Sequence, residues 1–183
     1  PEFLALARER PGRLTVSHPG TGAVNHLAMV LFAKQTGIEV TYVPYTGNQP
    51  SITALMRGEV DLAHDGLFTP RAQLEAGTLR AIAVTSAERS PLYPNVPAFA
   101  ETLPGYEVGF WGGLLAPRAT PEPILDRLNT ELDAILRQPE VIERVRGFGA
   151  EPVGGPRDRF GRALAGDWAK WGQVVRENDI RAE

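Results

Sequence analysis

The sequence predicts an α/β fold, with a mainly parallel sheet flanked by helices and a helical C-terminal part. Three observations carry this expectation. Strand-like and helix-like runs alternate over roughly the first 85 residues, a short polar or glycine-containing segment marks most changeovers, and from Thr120 onward apolar residues recur at helical spacing. Strands joined through helices run parallel, because a parallel pair needs a crossover longer than a hairpin turn.

The first segment, Phe3 to Ala7, reads as a helix with Phe3, Leu6 and Ala7 on one side, stopped by Pro11-Gly12. Leu14–Ser17 is a β-prone run, followed by the loop His18-Pro19-Gly20-Thr21-Gly22 and a helical pattern from about Val24 to Gln35. Gly37 stands where a helix stop belongs. Ile38–Val43 alternates apolar and polar as a half-buried strand does, and Pro44–Asn48 forms the next loop before a helix at Ile52–Met56. A third strand is expected at Val60–His64, then the loop Asp65-Gly66 and a helix from Thr69 to Ala76, closed by Gly77. Leu79–Thr85 has the pattern of a fourth strand. Residues 86–105, with four prolines, read as a surface connection with one short helix near Ala98–Thr102. Tyr106–Ala116 reads as a long extended run. Helices follow from Thr120-Pro121, at Pro139–Arg146, and from Pro156 to Glu177, where Phe160, Leu164, Trp168, Trp171 and Val175 form a stripe that needs a partner surface.

Composition narrows the function. The 183 residues hold 19 Lys+Arg against 22 Asp+Glu, a net charge of −3, which argues against a dedicated nucleic-acid binder. The absence of cysteine excludes a disulfide framework, thiolate metal sites and a thiol nucleophile. No apolar run is long enough to cross a bilayer. The opening residues lack the basic and long apolar regions of a leader peptide, and the sequence does not begin with Met, so a fragment is expected.

The segment Ser17, His18, Gly20, Gly22, Ala23, Val24 and Asn25 follows a strand and opens a helix. First-turn helix amides have no internal partner and sit at the positive end of the helix dipole, so an anion fits there. A plain tight turn is the alternative. Neither dinucleotide nor P-loop glycine spacing is met, since Asn25 stands where a third glycine belongs. Thr46, Gly47, Asn48 and Asp65 follow the next two strands, and ligands of open α/β sheets sit beyond such strand ends. Asp65 equally suits a turn or helix cap. His18, His26 and His64 lack metal-ligand spacing, and no cofactor is expected. Trp111 is expected to pack, with a pocket wall as the alternative.

Several further stretches recur in order along the chain: Gly20-x-Gly22-x-x-x-His26-Leu27-Ala28, Val43-Pro44-Tyr45-x-Gly47, Gly58-x-Val60-Asp61-Leu62, Leu79-Arg80-Ala81-x-Ala83-Val84-Thr85-Ser86, Pro94-x-Val96-Pro97, Trp111-x-Gly113 and Gly149-Ala150-Glu151-Pro152. In this order the chain resembles the Bug family, extracytoplasmic solute receptors associated with tripartite tricarboxylate transporters. The resemblance implies a periplasmic-binding-protein-like (type II) lobe that captures a small organic acid: a di- or tricarboxylate, an aromatic carboxylate or an acidic amino acid. It implies periplasmic localisation, membrane transporter components as partners, and no enzymatic activity. The family often carries Thr-Ser where Ala23 and Val24 stand, Lys at Thr46 and Gly at Asn48. The family's chain is longer at its N-terminus. On that reading residues 1–12 end a helix from a missing part, 13–108 form the ligand-binding lobe, and 109–183 cross over and add helices. The last helix then packs on this lobe or self-associates with a second copy. Two rivals share the architecture: an effector-binding domain of a transcription regulator, and an enzyme of the same broad class.

Overall fold

A computed structural model describes residues 2–181. Its elements are α1 (Glu2–Glu9), β1 (Thr15–His18), α2 (Val24–Thr36), β2 (Thr41–Pro44), α3 (Asn48–Met56), β3 (Leu62–Ala63), α4 (Arg71–Glu75), a 3-10 turn at Phe99–Glu101, α5 (Glu122–Leu136), α6 (Pro139–Gly147) and α7 (Arg157–Glu177). The chain divides into two compact units, one of residues 1–109 with 171–183 and one of residues 110–170.

In the first unit the strands form a parallel sheet in the order β2-β1-β3. β1 is central, pairing Val16 with Tyr42 on one side and with Leu62 on the other. At the start of the strands the Asp61 carboxylate accepts from the Thr15 amide at 2.8 Å and its hydroxyl at 2.7 Å, pinning the short β3 to β1. These bonds, the amide first, hold the Asp61 carboxyl below its usual range. Successive strand residues face opposite sides, and the packing follows. Val16 joins the cluster built around α2, while Ser17 meets Ser51 of α3, whose hydroxyl donates to its Oγ at 2.8 Å. The two helices therefore flank the sheet.

α2 is the central helix. Eight of its residues are buried, so it is apolar almost all round rather than amphipathic. Gly37 ends it in the left-handed conformation, φ +65°, with its amide donating to the Ala33 carbonyl, as the glycine stop in the sequence requires. On one side Phe32 stacks on Phe99 with ring centroids 4.5 Å apart, and Tyr106 meets both edge-on. The Tyr106 hydroxyl donates to the Ala28 carbonyl at 2.9 Å inside this cluster. On the other side Leu27 and Val30 pack on Val174 and Trp171 near the end of α7, so that part of the C-terminal stripe has its partner in this unit.

Two sequence expectations fail here. Leu79–Thr85 is not a fourth strand: only Val84 makes a bridge, to Ala98, with its amide donating to the Pro97 carbonyl at 2.9 Å. The alternating pattern is present, but no neighbouring strand pairs with the rest, and strand preference is expressed only against a partner. A cavity of about 380 Å³ lies between β3 and residues 78–85, lined in part by Leu62, Leu74, Leu79 and Ile82. Nor is Tyr106–Ala116 a strand; Val108 is tied to Thr85 through two hydrogen bonds of 2.8 Å, and the remainder is irregular. Other boundaries shift. β2 and β3 are shorter than expected, α4 is confined to Arg71–Glu75, and α3 starts earlier, at Asn48, with Pro50 in its first turn.

The second unit contains α5, α6 and the first part of α7. Arg157 pairs with Glu122 at 2.5 Å and Asp126 at 3.0 Å, joining the starts of α7 and α5. The Asp133 carboxylate accepts from the Gly155 amide at 2.8 Å. Trp111 packs edge-on against Phe160 and donates from its indole to Asp167, so it is a packing residue within this unit. Leu114, Leu115 and Trp168 are largely exposed.

Two stability predictions follow from the first unit. Tyr106→Phe keeps the packing and removes only the hydroxyl bond to the Ala28 carbonyl, which retains its place in the helix ladder; equilibrium denaturation should record a loss of about 0.5–1.5 kcal/mol, against about 3–5 kcal/mol for Tyr106→Ala. The three histidines are all buried, and burial drives His64 and His26 down to about 4 and His18 downward. Unfolded histidines bind protons from about pH 6.5 downward while these remain neutral, so their stabilising effect is complete above that pH and is lost as pH falls toward 4. Urea midpoints should fall across that window, with Asp65, whose carboxyl burial pushes up, opposing part of the loss. A midpoint flat from pH 7 to 4 would contradict this.

Candidate anion site at the strand ends

Parallel pairing brings the C-terminal ends of β1, β2 and β3 to one edge of the sheet, and with them the loops at 19–23, 45–47 and 64–66. The site residues expected from sequence gather there because each loop leaves a strand of the same sheet. Gly20 and Gly22 adopt φ of +147° and +81°, conformations that a side chain resists, and a Cβ at either would meet nothing within 4 Å. The need for glycine is therefore conformational rather than steric.

The loop's amides divide into two sets. Gly20 donates to His18 Nδ1 at 3.3 Å, Gly22 to His26 Nδ1 at 3.2 Å, and Ala23 to the Gly20 carbonyl at 3.2 Å. Val24, Asn25 and His26 form the first turn of α2, where amides have no partner within the helix; the first intrahelical bond is from Leu27 to Ala23. Ala23, as N-cap, has no side-chain oxygen to satisfy them. Of the amides of Gly20, Gly22, Ala23, Val24 and Asn25, those of Val24 and Asn25 have no hydrogen-bond partner among the described residues.

Several candidate side chains are engaged inside the protein. Ser17 is fully buried, and its hydroxyl donates to the Leu62 carbonyl at 3.2 Å. Asn25 donates to the His64 carbonyl at 2.8 Å, locking the start of α2 to the end of β3. His18 is buried with its Nδ1 turned to Gly20. Thr46 is exposed, and Gly47 caps α3 with φ +139°. Asn48 donates to Asp65 Oδ1 at 2.8 Å, and the same oxygen accepts from the Gly66 amide at 2.7 Å and the Thr69 hydroxyl at 3.2 Å. Asp65 Oδ2 is buried with no hydrogen-bond partner among the described residues. Burial raises the Asp65 carboxyl despite those three donors. Asn48 and Asp65 thus form one unit across two loops.

Sequence reasoning placed His26 beside the glycine loop without assigning it to the site, and left Tyr42 out. His26 stacks on His18 with centroids 4.3 Å apart, and Tyr42 meets His26 edge-on at 5.1 Å. The i to i+4 spacing of Gly22 and His26, across a loop-to-helix junction, was the available signal. Among the described residues no group of three or more His, Asp or Glu side chains is placed to hold a metal ion, and no helix is long and apolar enough to cross a membrane.

Comparison with known proteins places this geometry in context. The chain is 34% identical to a UPF0065 protein encoded in the tcbD-tcbE intergenic region of Pseudomonas sp. strain P51, over 99% of this chain and 54% of that protein. It is 30% identical to BugT of Bordetella pertussis, over 98% of this chain and 55% of that protein. The chain thus spans about half the length of these curated relatives. Among solved structures, R. palustris Rpa4515 with adipate superposes with a TM-score of 0.85 at 37% identity, covering 98% of this chain and 60% of that one. MatC from Rhodopseudomonas palustris with bound malate gives a TM-score of 0.76 at 32% identity, covering 95% and 60%. The fold is accordingly that of a periplasmic-binding-protein lobe. Residues 1–180 match the family described as tripartite tricarboxylate transporter family receptor, and the chain belongs to that family.

Proposed function

We propose that this chain is the ligand-binding lobe of a periplasmic, non-enzymatic receptor that captures a small organic carboxylate and presents it to membrane transporter components. One observation carries the reading: the first-turn amides of α2, at Val24 and Asn25, have no hydrogen-bond partner among the described residues and lie at the sheet edge where the loops after β2 and β3 also emerge. A carboxylate there accepts fixed N–H donors at the positive end of a 13-residue helix. Relatives solved with adipate and with malate support that ligand class.

Asp65 gives the site a second chemistry. A carboxylate oxygen repels the ligand's acid group but accepts from a hydroxyl, an amine or a water, and Asp65 Oδ2 has no donor among the described residues. Asn48 and Thr69 orient the group by holding Oδ1. Residues 13–108 serve as the capturing lobe and 109–183 as the crossover and C-terminal part. Capture then proceeds by closure of this lobe against a second one. The exposed Leu114, Leu115 and Trp168 are available to the rest of a full-length receptor or to a second copy of this chain.

Two substitutions test the site by calorimetry with malate and adipate. Val24→Pro removes one donor without breaking the helix, because proline is accepted at a first helical position and Ala23 already has the extended backbone (φ −61°, ψ 150°) that a following proline demands. Affinity for either acid should fall by about tenfold or more, the loss expected for a hydrogen bond to a charged group, with the circular dichroism unchanged. Asp65→Asn should alter malate binding more than adipate binding, since only malate carries a hydroxyl. Equal affinity in Val24→Pro and the unaltered chain would remove the α2 amides from the site.

A further inference from the structure

His18 and His26 have no task in the carboxylate reading, yet they are joined to its loop. Their rings lie face to face, 22° from parallel, and Tyr42 meets His18 edge-on at 6.4 Å and His26 at 5.1 Å. This arrangement follows from strand alternation, which puts Val16, His18 and Tyr42 on the α2 side of the sheet. Each ring presents Nδ1 to a glycine amide, Gly20 to His18 and Gly22 to His26. An imidazole nitrogen accepts only when it carries no proton, so both rings are neutral with the proton on Nε2.

We propose that His18 and His26 are positioning residues of the anion loop: as neutral acceptors they hold the amides of Gly20 and Gly22, and uptake of one proton at an Nδ1 releases that amide to an incoming carboxylate. The inference rests on the carboxylate reading of the same loop.

The step balances simply. A proton from solvent takes the Nδ1 lone pair, so the glycine N–H faces another donor and loses its acceptor. A carboxylate oxygen supplies a new acceptor, and the imidazolium beneath the loop offsets part of its charge. One proton suffices, because two cations stacked at 4.3 Å repel. Burial first, and His18 second, push His26 down to about 4, so without an anion the catch stays closed at neutral pH. Tyr42, whose own ionisation burial pushes up to about 12, stays neutral throughout. The other ionisable groups bordering the hollow beside His26 and Tyr42 are Lys34, Glu39, Glu177, Asp179 and Arg181. Lys34 pairs with Glu177 and Arg181 with Asp179, and Glu39 is exposed at the edge of the hollow.

Nitrogen-15 NMR of the chain tests this, following imidazole and glycine amide signals from about pH 7.5 to about pH 4. At the upper end both Nδ1 signals should be those of unprotonated acceptors. On acidification, at least one of the Gly20 and Gly22 amides should move with the midpoint of its histidine. Malate or adipate should raise that midpoint, and calorimetry in buffers of differing ionisation heat should record uptake of up to about one proton per carboxylate bound, with affinity rising by at most about tenfold per pH unit. His26→Asn keeps an acceptor oxygen near the Nδ1 position but cannot titrate. It should retain the Gly22 amide signal and lose its pH dependence, whereas His26→Leu loses both. A proton on Nδ1 at neutral pH overturns the proposal. So does a Gly22 amide indifferent to the His26 titration, or unchanged in His26→Leu. Carboxylate binding without proton uptake overturns the release step and leaves the receptor reading standing. If neither acid binds, the receptor reading fails, and the ligand-free titration still decides whether the imidazoles hold the loop.

Discussion

Backbone amides at the start of a helix have no partner within it, and most of what is distinctive in this protein follows from how α2 meets that constraint. Its N-cap is alanine, which cannot accept a hydrogen bond through its side chain. The preceding loop satisfies its own amides with two imidazole nitrogens and one carbonyl, and leaves the first turn of the helix open. A buried helix with unsatisfied amides at its start would be costly. That start lies at the sheet edge, beside the loops that follow β2 and β3. The same placement makes it the proposed site.

Parallel topology supplies the rest. β1 is central and pairs on both sides, so all three strands deliver their loops to one edge. Polar residues then lock the loops together rather than facing outward. Asn25 reaches from α2 to the end of β3, Ser17 from β1 to β3, and Asn48 from α3 to Asp65 after β3. Each is a short side chain that makes a bond between elements far apart in sequence. These polar groups are thus braces for the edge, and their hydrogen bonds keep the loops in register.

The order of strand and helix was legible because its signals are local: alternation, glycine stops and helical spacing all lie within a few residues. Gly37 is the clearest case, where the residue type and the left-handed backbone agree. What was not legible depended on partners. Leu79–Thr85 has a strand's pattern but finds only Ala98 to bridge. Tyr106–Ala116 likewise lacks a pairing neighbour. The early start of α3 was readable in principle, since Pro50 suits a first turn. Within the site the loops were legible, but the fates of their side chains were not. Ser17 and Asn25 read as polar residues beside a loop, and only the fold shows their hydrogen bonds directed into the protein. The stacking of His26 was hidden because it depends on a ring contributed by a different element.

Asp65 poses a sharper question for the proposed site, because a carboxylate at its rim opposes an anionic ligand. The opposition is local. Three donors converge on one of its oxygens, from Asn48, Gly66 and Thr69, and drain charge toward the protein. Burial nevertheless pushes its carboxyl upward, so the group sits where water screens poorly. In such surroundings a second anion is tolerated only at a distance, or with a donor group between the two charges. A ligand with an acid at one end and a hydroxyl, an amine or an ordered water a few ångströms away meets both conditions; a lone carboxylate pressed against Asp65 meets neither. The net charge of −3 is a weaker influence, since salt screens it over about 8 Å. On the proposed reading, selection among acids belongs to the loop after β3, and the holding of an acid to the start of α2.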